Sequence, residues 1–276
     1  MSGSVPIATR SPGVAAGVIG FASRLWRTFA TCLAFAIFNV GGLCAALTAI
    51  AACRLLPGTR EVRAQRAQRV IQWMFATFLA GLRGLGLLTR STSGLERLSA
   101  APPSLIVANH PTLLDVVFLI ASMPRVDCVV KAAVWRNVFF RGVVRAAGYI
   151  PNSEGPELVD ECVARIAAGH HVLLFPEGTR SPAGALRRFQ RGAARIALRA
   201  GCEIQPVLVT CEPPTLLKGM PFFHVPPRRP HFALELLPAI RAAEFREDGL
   251  ETPLAVRRLN ASLEELYERR LGVRCG

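Results

Sequence analysis

His110 and Asp115 stand five residues apart in the run Asn109-His110-Pro111-Thr112-Leu113-Leu114-Asp115, directly after the apolar stretch 105–108. On one ideal helix that separation turns two side chains about 140° apart. They can meet only if His110 lies in a turn and Asp115 one turn into the helix that follows. Pro111 fits this arrangement because proline favours the first helical position, and Asn109 suits a cap or turn. So placed, the carboxylate would hold the imidazole in one tautomer and stabilise its protonated form. The other ring nitrogen would then be free to take a proton from a hydroxyl. A turn histidine beside a solvated aspartate satisfies the heptapeptide equally well.

A second run, Phe175-Pro176-Glu177-Gly178-Thr179-Arg180-Ser181, also ends an apolar stretch. Proline, glycine and polar residues there make a tight turn whose backbone amides could cradle an anion. Arg180 adds a planar fork of donors suited to phosphate. Glu177 could fix the turn or bind a substrate hydroxyl. Taken alone, this run is an ordinary turn. Lys131 is one of only two lysines in the chain, the other being Lys218.

These residues need a frame. Short apolar, β-branched runs at 105–107, 126–130, 172–175, 207–209 and 232–237 alternate with helical patterns at 113–121, 134–146, 157–168, 189–200 and 254–270. Continuous apolar strands between helices predict an α/β fold, a mixed sheet with helices on both faces. Sites in such folds form where strands end and helices begin, and both runs fall there.

The first 90 residues read differently. Residues 28–53 carry no charge and are long enough to span a bilayer, which takes about 20 apolar residues. Arg24 and Arg27 precede the run, whereas Arg54, Arg60, Arg63, Arg66 and Arg69 follow it. The heavier basic flank predicts a cytoplasmic location for everything downstream. Residues 59–88 carry Ile71, Phe75, Phe78 and Leu82 on one helical face, widened by Trp73 and Met74. That helix suits packing on the core or lying in a membrane interface. The expected organisation is a flexible tail over 1–25, and a membrane-spanning or embedded helix plus a basic amphipathic helix over 26–90. Residues 91–276 form the catalytic domain, entered by a linker over 91–103.

Composition narrows the partners. The 276 residues hold 33 basic and 19 acidic side chains, with 51% apolar residues and a mean hydropathy of +0.34. A disordered or acidic class is excluded. Aromatic residues are only 7% and are not interleaved with arginines, so no nucleic-acid partner is expected. The eight cysteines are scattered without zinc spacing. They read as core residues in a reducing cytosol, and no metal site is expected. His170, His171, His224 and His231 are expected to be structural.

Together the two runs resemble the motifs of the glycerophosphate and lysophospholipid acyltransferase family, typified by 1-acylglycerol-3-phosphate acyltransferases. Its Asn-His-x-x-x-x-Asp block is matched by Asn109, His110 and Asp115, and its Phe-Pro-Glu-Gly-Thr-Arg-Ser block by residues 175–181 without a change. Phe189-Gln190-Arg191-Gly192-Ala193 is similar to the family's aromatic–basic–glycine segment, and Ile204-Gln205-Pro206-Val207 to its apolar fourth block. Lys131, Trp135 and Gly148 fit the second block. The Arg that usually follows that glycine is absent from Gly148-Tyr149-Ile150-Pro151-Asn152-Ser153.

The resemblance implies transfer of a fatty acyl group from acyl-CoA or acyl carrier protein, a co-substrate and not a cofactor, to a lysophospholipid hydroxyl. It implies His110 and Asp115 as the catalytic pair, with Asn109, Lys131, Glu177, Gly178, Thr179 and Arg180 binding substrate. Membrane lipids are the implied partners and the inner (cytoplasmic) membrane the implied location. Oligomeric state is left open. No serine or cysteine stands in a nucleophile elbow, so direct attack without an acyl-enzyme is expected. The acyl chain is expected near Pro206 and Val207 or under the proline-rich stretch 213–230 with Phe222 and Phe223. The absent Arg keeps other acceptors, such as a lyso-ornithine lipid, in view. A non-catalytic membrane-anchored protein of the same fold is the alternative from another class.

Overall fold

The computed structural model describes residues 14–123, 125–153, 155–182, 184–246 and 252–276. In chain order it contains α1 (Val14–Leu47), α2 (Ala49–Leu55), α3 (Arg60–Gly84), β1 (Thr89–Ser93), β2 (Leu105–Ala108), α4 (Asp115–Ser122), β3 (Asp127–Lys131), α5 (Ala132–Arg136), α6 (Arg141–Ala146), β4 (Ile150–Asn152), α7 (Pro156–Ala167), β5 (Val172–Leu174), α8 (Gly192–Ala200), β6 (Glu203–Glu212), β7 (His231–Leu236), β8 (Ile240–Arg241) and α9 (Pro253–Leu271).

The strands form one sheet in the order β1-β7-β6-β2-β5-β3-β4, with β8 also paired to β6. β2 lies between β5 and β6, parallel to both, while β7 runs antiparallel to β6. This is the expected mixed sheet. All four β2 residues are at most 1% exposed, and they alternate between two cores. Ile106 and Ala108 join a cluster with α3 and α4 residues, including Ile71, Leu79 and Phe118. Leu105 and Val107 join another with α7, α8 and α9, including Cys162, Ile196 and Leu263. A strand covered on both faces has no reason to carry polar residues, hence its unbroken apolar run.

Four local expectations are corrected. The linker expected over 91–103 contains most of β1, which pairs with β7 from Thr89↔His231 to Ser93↔Glu235. An edge strand needs only one paired side, so Thr-Arg-Ser-Thr-Ser forms it without an apolar run. The helix expected over 134–146 breaks into α5 and α6 because Asn137 Oδ1 accepts the backbone N–H of Phe139 at 2.9 Å, closing a turn. β4 escapes notice because its three residues include Pro151, which an edge strand tolerates. Finally, α1 begins at Val14, so of the tail expected over 1–25 only 1–13 lie outside the described residues.

Residues Ala22–Cys53 make one helical stretch long and apolar enough to cross a membrane, with 19% of its most apolar window buried inside the protein. It packs on α3 through Phe38, whose ring lies 5.9 Å from Phe75 and 4.7 Å from Phe78. Gln68 of α3 reaches Asp127 Oδ1 at the start of β3 (2.7 Å). The N-terminal helices are therefore docked on the same face of the sheet as α4.

Candidate active site

β2 and β5 are parallel neighbours, so the turns that follow them emerge side by side at one end of the sheet. The His110 backbone is held there by the second turn through both of its polar groups. Its N–H donates to Glu177 Oε1 at 2.7 Å, and its C=O accepts the Ser181 N–H at 2.9 Å. Glu177 Oε2 accepts the Ser181 hydroxyl and, at 3.4 Å, the Arg187 N–H. Burial pushes the Glu177 carboxyl up from its ordinary value, and these donors pull it partly back.

The imidazole meets Asp115 as anticipated. His110 Nδ1 lies 2.9 Å from Asp115 Oδ2, with the aspartate fully buried and the histidine 16% exposed. Pro111 does not open the helix, however. α4 starts at Asp115 itself, because Asp115 folds back on the turn: Oδ2 accepts the Thr112 N–H (2.6 Å) and Oδ1 the Thr112 hydroxyl (2.5 Å). Burial raises the Asp115 carboxyl, while the bonds from His110 and Thr112 favour its charged form. A carboxylate on Nδ1 places the ring proton there, so the lone pair falls on Nε2. The Phe175 ring, 4.5 Å from the imidazole centroid, fixes its plane. Among the described residues, none bonds Nε2.

Thr112 and Phe175 occupy positions that sequence reasoning left without a role. Thr112 was legible in principle, since a hydroxyl three residues before a helix-opening carboxylate is a capping arrangement in reverse. The stacking of Phe175 had no such signal.

Other residues anticipated to touch substrate are committed to the protein. Asn109 is 3% exposed. Its Nδ2 donates to the Val209 C=O at 2.8 Å and its Oδ1 accepts the Val209 N–H at 2.7 Å. The side chain thus continues the β2–β6 ladder in place of backbone, a correction to its assignment as a substrate contact. Both Glu177 oxygens are likewise on protein donors, which selects turn fixing over hydroxyl binding. The Gly178 N–H donates to the Phe175 C=O at 3.1 Å, so that amide closes the turn and is not offered to an anion. Gly178 has φ +66, and an added Cβ would stand 2.9 Å from Gln190 Nε2. The positive φ favours glycine here, and an added Cβ would displace the Gln190 amide.

Thr179 and Arg180 are half-buried on the same turn. Arg180 Nη1 donates to the Leu216 and Leu217 carbonyls (3.0 and 3.2 Å). Lys131, the last residue of β3, has its ammonium pKa lowered by partial burial and then by the charges of Lys218, Arg180 and Arg187. The structure therefore brings Lys131 and Arg180 into one field.

Pro206 and Val207, where the acyl chain was expected, are strand residues in the sheet. Both lie in β6 paired to Val107 and Ala108, and Val207 is fully buried. Phe222 and Phe223 remain 44% and 51% exposed, Phe222 resting on Phe35 of α1 at 5.3 Å. Three of the other histidines have partners away from the site: His170 on Asp127, His171 on Ser104, and His231 between Thr89 and Ser91. A cavity of about 670 Å³ lies at the opposite end of the sheet, lined in part by Gln68, Arg125, Asp127 and His170 and by no residue of either motif.

Comparison with known proteins points to the same fold. The family described as Acyltransferase matches residues 90–210. The chain is 30% identical over 122 residues to the chloroplastic 1-acyl-sn-glycerol-3-phosphate acyltransferase LPAT1 of Arabidopsis thaliana, covering 41% of this chain and 34% of that one. It is 29% identical over 178 residues to human 1-acyl-sn-glycerol-3-phosphate acyltransferase beta, covering 60% of each. The alignments thus span from about a third to about 60% of these relatives' length. In fold it is similar to the crystal structure of the 1-acyl-sn-glycerophosphate acyltransferase PlsC from Thermotoga maritima. That likeness has a TM-score of 0.68 at 18% identity, over 92% of this chain and 96% of that one. Over residues 90–210 the chain is thus similar to the acyltransferase family and to relatives named as 1-acyl-sn-glycerol-3-phosphate acyltransferases, and its fold is that of PlsC.

Proposed function

We propose that this chain is an O-acyltransferase that moves a fatty acyl group from a thioester of coenzyme A or acyl carrier protein to the free hydroxyl of a lysophospholipid. The acceptor is 1-acyl-sn-glycerol 3-phosphate and the product phosphatidic acid. The observation that carries the reading is the 2.9 Å contact from Asp115 to His110 Nδ1, which leaves Nε2 unpartnered among the described residues.

His110 Nε2 takes the proton of the acceptor hydroxyl as its oxygen attacks the thioester carbonyl. The carbon–sulfur bond then breaks, and the thiolate leaves with the proton returned by the imidazolium. Asp115 stabilises that imidazolium and holds the ring. Arg180 and Lys131 attract the acceptor phosphate, turning an encounter between two lipids into a fixed approach. Glu177 and Asn109 act one step back, by holding the turn that bears His110. Direct transfer is supported by the state of the thiols: burial pushes Cys128, Cys162 and Cys211 up to about 12, far from a neutral-pH thiolate.

The chain sits in the inner membrane through α1, with the α/β domain on the cytoplasmic side. The apolar stretch Ala22–Cys53 and the arginines that follow it support this. The test is an assay of purified protein with labelled acyl donors and a panel of lyso-lipids, beside His110→Ala. Turnover of 1-acyl-sn-glycerol 3-phosphate by the wild type alone supports the reading. Equal turnover by both proteins removes His110 from the reaction.

A further inference from the structure

The chain uses arginine almost throughout, yet its only two lysines, Lys131 and Lys218, lie close enough for the charge of one to lower the pKa of the other. They arrive from different directions. Lys131 ends β3. Lys218 follows Leu217, whose carbonyl accepts Arg180 Nη1 at 3.2 Å, next to the Leu216 carbonyl on the same nitrogen at 3.0 Å. The Leu216 carbonyl also accepts the Leu113 N–H at 3.1 Å, so the segment before Lys218 is fastened to both motifs. Thr215, Leu216 and Leu217 are buried, while Lys218 is exposed. An exposed, compact ammonium therefore stands on a backbone held by both motifs.

Arg187 closes the group by donating Nε to the Arg180 carbonyl at 3.3 Å. The strand beside Lys131 contributes no charge, since its residue in register is Asn152. Among the described residues, the cations that lower the Lys131 pKa are Lys218, Arg180 and Arg187, and no acid opposes them. A single guanidinium or ammonium suffices to neutralise a phosphodiester, which carries one negative charge. A phosphate monoester carries close to two charges at neutral pH, so each added cation favours it over a monoanion.

We propose that Lys218 is a specificity-determining residue for the acceptor headgroup. Delivered by the loop that Arg180 pins, it makes the site prefer a lysolipid ending in a phosphate monoester over one whose phosphate is a diester. This rests on the acyl-transfer reading above and adds a residue that neither sequence motif contains.

The test compares kcat/KM of the full-length protein and Lys218→Ala in mixed micelles, with 1-acyl-glycerol 3-phosphate and with 1-acyl-glycerophosphoglycerol as acceptors. The monoester-to-diester ratio is expected to fall about tenfold in the variant, through KM for the monoester. Lys218→Arg should restore most of that ratio. An unchanged ratio overturns the proposal, as does a loss confined to KM for the acyl donor. That last result would assign Lys218 to the donor's phosphates. Failure of the wild type to acylate the monoester at all would instead overturn the acyl-transfer reading, and this proposal with it.

Discussion

Glu177 accepts the backbone N–H of His110 at 2.7 Å across 67 residues of chain. With the Ser181 N–H on the His110 carbonyl, it makes the turn after β5 the template for the turn after β2. The imidazole is thus positioned from outside its own segment, which is why the second motif is needed for the first to work.

Glu177→Ala and Glu177→Gln should therefore part company. Alanine strands buried donors at His110 and Ser181, each costing about 1–3 kcal/mol, so the thermal midpoint drops and acyl transfer falls with it. Glutamine keeps an acceptor for the His110 N–H, since its amide oxygen can replace one carboxylate oxygen. Unfolding curves and turnover for both variants check this. Full stability with lost turnover in the glutamine variant would move Glu177 onto the substrate.

Asp115→Asn removes the charge that holds the ring proton on Nδ1. Acyl transfer is expected to fall about 10²- to 10⁴-fold in kcat, as for His110→Ala, with KM for the acceptor little changed. The variant should keep its circular dichroism spectrum, because Thr112 can still donate to the amide oxygen. A variant retaining more than a tenth of wild-type kcat would detach Asp115 from the proton transfer.

Asn109 gives a purely structural counterpart. Its amide pairs with both polar groups of Val209 at 2.7 and 2.8 Å. Asn109→Asp loses the donor and buries a charge in a site 3% exposed, at a cost of about 2–5 kcal/mol. The urea midpoint should fall at pH 7 and recover in part in mild acid as the new carboxyl protonates. A midpoint equal to wild type at pH 7 would contradict the clamp.

These three residues also mark the limits of reading the sequence. The five-residue spacing showed how His110 and Asp115 could meet, in a turn followed by a helix, and left a solvated aspartate equally open until the motif resemblance favoured the pair. The mixed sheet was legible because two-sided burial writes itself as unbroken apolar runs. Asn109 and Glu177 were not assignable, because a buried carboxamide clamp and a substrate contact use the same residue types. What separates them is the partner, and Val209 lies 100 residues away. β1 was missed for a related reason: pairing on one edge with β7 requires backbone and leaves no apolar imprint on Thr89–Ser93.

Burial gives Glu177 a pH signature. Its native pKa is raised above the reference 4.5, so between that value and the native one the folded state holds more protons than the unfolded chain. Stability through this group is therefore greatest in mild acid and falls as pH rises through the window. Glu177→Gln has no proton there to lose. The wild-type urea midpoint should decline relative to that of Glu177→Gln as pH is raised from 4.5 towards neutrality. A parallel pair of profiles would place the carboxyl at its ordinary pKa.

The N-terminal helix makes the last prediction. Leu25, Phe29, Ile37 and Val40 of α1 are each about 60% exposed, although the stretch Ala22–Cys53 has a hydropathy of 2.0. A helix so apolar and so little covered by its own protein is expected to take lipid around it. Ala30 and Ala34, by contrast, are buried on the inward face, beside the Phe38 that packs on α3. The protein should stay in the membrane pellet after an alkaline carbonate wash. Ile37→Arg, placing a charge mid-helix at about 3 kcal/mol, should weaken that retention, whereas the conservative Ala34→Ser on the inward face should not. A C-terminal reporter should read as cytoplasmic. Release of the wild type by carbonate would leave α1 as an interfacial helix, and a periplasmic reporter would reverse the orientation.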